Sequence, residues 1–253
     1  MLKQFYKDKL EIRVYGTREK MGEIAAADAA DYIRKELTTK SELSIVFASA
    51  PSQNDFLTSL AQQKIDWSRI NAFHMDEFIG LPGNAPQGFG NFLKSKIFNK
   101  ISPKSIYYLF EERGVPETIC SNYAKLLEEH PIDIVFMGIG ENAHIAFNDP
   151  HVAFFNDPEK VKIVSLDPVC RNQQVNDGFF PTLEEVPTHA ITLTIPVLIG
   201  AKRIFCIVPA KSKALAVKAV VSGEITELYP ASVLRTHNSA TLYCDIESAK
   251  YIL

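Results

Sequence analysis

Much that would narrow a function is missing from this chain of 253 residues. It has no basic excess: 27 Lys and Arg against 30 Asp and Glu leave a net charge of −3, so the overall balance does not suit a nucleic-acid backbone. Small anionic ligands need only a few local Lys or Arg residues and stay open. No apolar run approaches the roughly 20 residues of a membrane span. The longest, Ala190 to Ala201, is interrupted by Thr192, Thr194 and Pro196. The opening MLKQFYKDKL lacks the apolar stretch of a signal peptide, and a soluble, cytoplasmic protein is expected. Cysteine is scarce: Cys120, Cys170, Cys206 and Cys244 are spaced by 50, 36 and 38 residues, which is neither CxxC nor a zinc pattern. No metal centre is expected, and Cys206 and Cys244, inside apolar runs, read as buried free thiols. Only 12 Gly and 14 Pro exclude a collagen-like or low-complexity chain, and 46% hydrophobic residues exclude a disordered one. A chain of this length buries most of its unfolded surface without a disulfide or metal staple.

What is present is an alternation. Short apolar runs rich in β-branched and aromatic residues recur at Ser44–Ala48, Ile70–Met75, Ile106–Leu109, Ile132–Met137, Val161–Ser165, Ala190–Ile195, Arg203–Val208 and Thr241–Cys244. Their near-continuous apolarity suits strands covered on both sheet faces. Helical patterns lie between them. Met21, Ile24, Ala25, Tyr32, Ile33 and Leu37 share one face over about 18–37; 117–130 runs from Pro116 to Pro131; 211–221 ends at Gly223. The alternation predicts an α/β fold: a Rossmann-like, doubly wound, mostly parallel sheet with helices on both faces. With no linker, repeat or break in composition, one domain over 1–253 is expected.

In such a sheet ligands sit beyond the carboxyl ends of the strands. The residues found there are Ser49-Ala50-Pro51-Ser52-Gln53, Asp76-Glu77, Gly138-Ile139-Gly140-Glu141-Asn142-Ala143-His144, and Pro209-Ala210-Lys211-Ser212-Lys213. Each has a plain alternative: Ser52 as a helix cap, Asp76-Glu77 as a solvated turn, His144 as a structural imidazole. Lys211 and Lys213 are more informative, because a helix start disfavours cations unless an anion lies there too. Gly138 to Ala143 matches the dinucleotide fingerprint G-x-G-x-x-G/A. However, Asn148-Asp149-Pro150 cuts short the helix that should follow, and the nearest later acid, Asp167, is 27 residues beyond Gly140. A nicotinamide-dependent dehydrogenase is therefore disfavoured.

Two long motifs carry a resemblance: Phe73-His74-Met75-Asp76-Glu77-Phe78-Ile79-Gly80-Leu81-Pro82, and Gly138 to Pro150 with its His144-Ile145-Ala146-Phe147-Asn148-Asp149 core. With Lys213-Ala214-Leu215-Ala216 and Ala231-Ser232-Val233-Leu234-Arg235-Thr236-His237, they span nearly the whole chain in order. The sequence resembles the glucosamine-6-phosphate deaminase (isomerase) family, whose fold is shared by 6-phosphogluconolactonases; the His-Ile-Ala-Phe-Asn-Asp run favours the deaminase branch. The resemblance implies a cofactor-free aldose–ketose isomerisation with loss of ammonia from a phosphorylated amino sugar, glucosamine or galactosamine 6-phosphate. It implies Asp76 as the base at C2 and His144 as the group that opens the ring. Ser49, Ala50, Ser52 and Lys213 would hold the phosphate, with Glu77, Gly140 and Arg171 as further substrate contacts. It leaves room for a homo-oligomer.

The chain departs from the family pattern at two places. One carboxylate that supports the histidine maps onto Asn142, which can orient an imidazole but supplies no charge, and the other onto the shorter Asp149. The phosphate loop, usually rich in Gly and Thr, contains Pro51, which lacks an N–H, and no glycine. Two alternatives follow: a sugar-phosphate lactonase on the same fold, and a non-catalytic sugar-phosphate sensor.

Overall fold

A computed structural model describes residues 1–110 and 114–253. In chain order the main elements are β1 (Lys3–Lys7), β2 (Leu10–Tyr15), α1 (Arg18–Glu36), β3 (Leu43–Phe47), α2 (Asn54–Ala61), β4 (Ile70–His74), β5 (Asp76–Phe78), α3 (Phe89–Leu93), β6 (Ser105–Tyr107), α4 (Pro116–Glu129), β7 (Ile134–Met137), β8 (Val161–Ser165), α5 (Pro168–Asn176), β9 (His189–Leu193), α6 (Ile195–Ile199), β10 (Arg203–Val208), α7 (Ala214–Ser222) and β11 (Ala240–Asp245).

Eight strands form the central sheet in the order β1-β2-β11-β10-β7-β3-β4-β6. Every neighbouring pair is parallel except β1 with β2. The period of two sorts each strand's side chains onto opposite faces. Val46, Phe73, Val135, Cys206 and Leu242 enter one core with Ile119, Tyr123 and Leu127 of α4 and Val217 and Val220 of α7. Ile45, Phe47, Ala72, Phe136, Phe205 and Tyr243 enter the other with Met21, Ala25 and Ile33 of α1 and Phe56 and Leu60 of α2. The expected doubly wound α/β architecture is therefore present. The expected thiols are present as well, since Cys206 and Cys244 are free and buried.

Three sequence expectations need correction. β1 and β2 were not foreseen, because Lys3, Lys7 and the Arg13 charge break the apolar pattern; in the fold Arg13 pairs with Glu11 and Asp28. Ile70–Met75 does not run on as one strand. It ends at His74, and Asp76–Phe78 turns away as β5. Finally, β8 and β9 do not join the main sheet but form a three-stranded antiparallel sheet with β5, in the order β5-β9-β8. A third core of Phe78, Phe89, Phe147, Val164, Cys170 and Phe180 lies under it.

The strand order places the site. From β3 the chain proceeds outward through β4 and β6, whereas from β7 it proceeds the other way through β10 and β11. The order reverses between β3 and β7, and a crevice opens beyond their carboxyl ends.

Candidate active site

The crevice is lined by Ser49, Ala50 and Ser52 after β3, Asp76 after β4, Gly138, Gly140 and His144 after β7, Gln173, Gln174 and Asp177 of α5 and its end, and Lys213 before α7, with Phe89 and Phe147 among its apolar walls. Its cavity volume is about 60 Å³, or about 510 Å³ when the open space at its mouth is counted.

Asp76 is held by its backbone. His74 Nε2 accepts the Leu109 N–H at 2.8 Å, so the ring proton sits on Nδ1, which donates to the Asp76 carbonyl at 2.9 Å. Burial drives the His74 pKa down to about 4, so this histidine is a neutral clamp. Tyr123 closes the same knot: its hydroxyl accepts the His74 N–H at 3.0 Å and donates to the His74 carbonyl at 2.9 Å. Burial, with Glu77 beside it, raises the Asp76 carboxyl well above the usual carboxylate range. A carboxylate kept this close to neutrality is a stronger base once ionised.

His144 sits on a tight turn in which Ala143 and Ala146 adopt positive φ, at 66° and 49°. Its ring lies against Gly140, where an added Cβ would fall 2.1 Å from Cε1 and 2.3 Å from both ring nitrogens. Gly140 is thus required by close approach rather than by backbone conformation. His144 Nδ1 is 2.7 Å from Asn142 Oδ1 and 3.1 Å from Asp149 Oδ1. Asn142 Nδ2 donates to Asp149 Oδ1 at 2.9 Å. Burial works to raise Asp149, but hydrogen bonds from His144, Asn142 and the Asp167 N–H outweigh it and hold the acid low. An ionised Asp149 takes the amide nitrogen of Asn142, so the amide oxygen must face His144 and accept its Nδ1 proton. With Nδ1 so engaged, Nε2 is the ring nitrogen left to meet a ligand. Asn142 and Asp149 together therefore hold a proton on Nδ1, and the negative charge beside the ring comes from Asp149.

The rest of the second motif anchors this turn. The Phe147 N–H donates to the Thr192 hydroxyl, and Asn148 Nδ2 donates to the Ile145 and Leu193 carbonyls. Cys170 hydrogen-bonds Asp149, and burial raises its thiol pKa far up. The donor atoms of His144, Asp149 and Cys170 lie within 4.8 Å of one another. His144 Nδ1 and the Asp149 carboxylate already have hydrogen-bond partners in Asn142 and the Asp167 N–H.

Lys213 is 5% exposed, and among the described residues its ammonium has no hydrogen-bond partner. Burial lowers its pKa, against the raising effect of Asp177 and Glu141. An unpartnered buried cation on a crevice wall is chemically suited to an anion. The turn that presents it is strained. Ala210 stands at φ 82°, ψ 149°, a region nearly reserved for glycine, and the Asp245 carboxylate holds its N–H at 3.1 Å. Lys211, the other lysine singled out in the sequence, is exposed and does not line the crevice.

Two further expectations do not match the structure. Glu77 does not line the crevice: its carboxylate accepts the N–H groups of Phe78, Phe89 and Gly90 at 2.8–3.0 Å and so pins α3 and the Phe89 wall. Arg171 does not reach the crevice either; its guanidinium holds the Leu183 and Val186 carbonyls at 2.6 and 2.8 Å. The lining residues overlooked in its place are Gln173, Gln174 and Asp177. The signal was helical phase: they stand three, four and seven positions after the buried Cys170, on one face, whereas Arg171 is rotated away.

With this geometry established, comparisons with known proteins add lineage. A sequence profile described as "Glucosamine-6-phosphate isomerases/6-phosphogluconolactonase" matches residues 16–243. A glucosamine-6-phosphate deaminase of Streptococcus pneumoniae (strain 70585) is 32% identical over 229 residues, covering 89% of this chain and 94% of that protein. A solved structure described as a monomeric glucosamine-6-phosphate deaminase superposes with TM-score 0.86 at 27% identity, over 94% of this chain and 98% of the other. The 6-phosphogluconolactonase of Thermotoga maritima superposes with TM-score 0.77 at 18% identity, over 94% and 100%, a likeness of fold. Among the described residues no helix is long and apolar enough to cross a membrane.

Proposed function

The chain belongs to the glucosamine-6-phosphate isomerase/6-phosphogluconolactonase family, and from that premise we propose that it is a hexosamine-6-phosphate deaminase. Its substrate is glucosamine 6-phosphate or the galactosamine epimer, and its products are the ketose 6-phosphate and ammonia. One observation carries this reading: a buried carboxylate of raised pKa, an imidazole with one free nitrogen and an unpartnered ammonium line a single crevice. That is the inventory for removing a proton next to a carbonyl in a phosphorylated sugar.

Lys213 receives the phosphate, with the Ser49 and Ser52 hydroxyls beside it. His144, through Nε2, takes the anomeric hydroxyl proton and returns it to the ring oxygen, opening the pyranose. Asp76 takes the C2 proton of the open aldehyde form as O1 takes a proton from water, and an enolamine results. Asp76 returns its proton to C1 to give the ketimine, and addition of water to its C2 releases ammonia and leaves the ketose. Asn142 and Asp149 act behind His144, holding Nδ1 protonated so that Nε2 is the atom that exchanges protons. No step calls on a cofactor.

Asp76 also favours deamination over lactone hydrolysis. Activating water needs only a base such as His144, whereas taking a proton from carbon repays the cost of burying an acid at 5% exposure. The test is direct: ammonium and fructose 6-phosphate are measured with glucosamine 6-phosphate, and acid release with 6-phosphogluconolactone. Ammonium formation that disappears in Asp76→Asn supports the reading. Preferential lactone hydrolysis transfers it to the lactonase branch, and saturable sugar-phosphate binding without turnover makes the protein a sensor.

A further inference from the structure

We propose that Gln174 reads the hydrogen-donating groups of the sugar, hydroxyl or amine, independently of the phosphate seat. The inference rests on the proposed amino-sugar phosphate substrate and adds a specificity-determining residue to it.

The wall contributed by α5 carries two adjacent amides in opposite situations. Gln173 is fully engaged: Oε1 accepts the Glu141 N–H at 2.8 Å and Nε2 donates to Asp177 at 3.2 Å. Gln174 lines the same crevice and is 4% exposed, yet its Oε1 has no partner among the described residues. Orphaned buried acceptors are rare in folded proteins because each forfeits the hydrogen bonds it would make with water. Of the buried acceptor oxygens without a partner among the described residues, Gln174 Oε1 is the one on a residue that lines the crevice, where a ligand donor would satisfy it.

The crevice holds a second orphan of the opposite kind, the Lys213 ammonium. The two are not bonded to each other, and they ask for different chemistry. A phosphate dianion offers only acceptors, so it satisfies Lys213 and cannot satisfy a carbonyl oxygen. A sugar hydroxyl or ammonium group satisfies Gln174. Together they describe a ligand with an anionic end and a donor-rich end, and they assign the donor-rich end to α5.

The experiment is calorimetric titration with inorganic phosphate and with glucosamine 6-phosphate. It uses the full chain carrying Asp76→Asn, so that the sugar stays intact, alone and with Gln174→Met, Gln174→Glu or Lys213→Met. Gln174→Met should weaken glucosamine 6-phosphate about tenfold, the equivalent of one hydrogen bond, and leave phosphate within about twofold. Lys213→Met should weaken both ligands. Gln174→Glu, which restores an oxygen at the same reach, should recover most of the sugar-to-phosphate affinity ratio. Because a ligand-facing orphan supports nothing in the empty protein, Gln174→Met should melt no lower than its parent. Parallel weakening of both ligands, an unchanged sugar affinity, or a clear fall in melting temperature would overturn the assignment. Intact discrimination by Gln174 in a protein whose wild type releases no ammonia would sink only the catalytic reading.

Discussion

Substituting Gly140 by Ala inserts one methyl into the contact that seats the His144 imidazole. The new Cβ would lie 2.1 Å from His144 Cε1 and 2.3 Å from Nδ1 and Nε2, whereas carbon atoms at rest stand about 3.5–4.0 Å apart. The ring must therefore withdraw by roughly 1.4 Å, or the turn must open. Either movement disturbs the 2.7 Å contact with Asn142 and the 3.1 Å contact with Asp149. Misplacement on the order of 1 Å costs about 100-fold in rate, and overpacking costs about 1–3 kcal/mol, a fall in Tm of roughly 2–12 °C at this chain length. The assay is kcat/KM for ammonium release, with calorimetric melting, on Gly140→Ala, His144→Ala and the double variant. Because the three atoms nearest the added Cβ all belong to His144, the glycine substitution should cost little more once the ring is gone. A Gly140→Ala enzyme with wild-type kcat/KM, or one that still loses about 100-fold in the His144→Ala background, would refute the packing argument.

Other outcomes follow from the same groups. Asp76→Asn should lower turnover about 10²–10⁴-fold. It should also raise Tm at neutral pH, because the folded-state pKa is raised and the ionised acid opposes folding above its unfolded value; melting curves from pH 5 to 8 should show the gain shrinking as pH falls. His74 acts with the opposite sign. Its folded pKa of about 4 lies below the ordinary 6.5, so its contribution is complete above pH 6.5 and is lost as pH falls toward 4, by about 3 kcal/mol. Urea midpoints across that window should flatten in His74→Asn, and an unchanged pH slope would exclude the clamp. Ala210→Gly relieves a backbone strain of about 1–3 kcal/mol at φ 82° and adds about 0.4–1 kcal/mol of unfolded-chain entropy. Denaturant titration should show a net gain near 1 kcal/mol.

The doubly wound fold was legible in the chain because parallel strands covered on both faces must be apolar almost throughout, and Leu43–Phe47, Ile134–Met137 and Arg203–Val208 are. Asp76, His144 and Lys213 were legible for a related reason: each follows a strand whose carboxyl end defines the crevice. The small sheet was hidden, since a run such as Val161–Ser165 looks the same whether its partners are parallel neighbours or the antiparallel β9. The roles of Glu77 and Arg171 were hidden too. Charge marks a residue as capable of binding, but only packing showed that both are spent on backbone groups of α3 and of the 183–186 turn. Asn142 seemed a loss in sequence, and became a tautomer lock once Asp149 was found 2.9 Å from its amide nitrogen. What the sequence determined was periodic burial and chemical inventory, which are local. What the tertiary structure decided was which polar atoms had already found partners and which, like Lys213 Nζ and Gln174 Oε1, had not. Hydrogen-bond satisfaction depends on residues far apart in the chain, so only the folded arrangement could settle it.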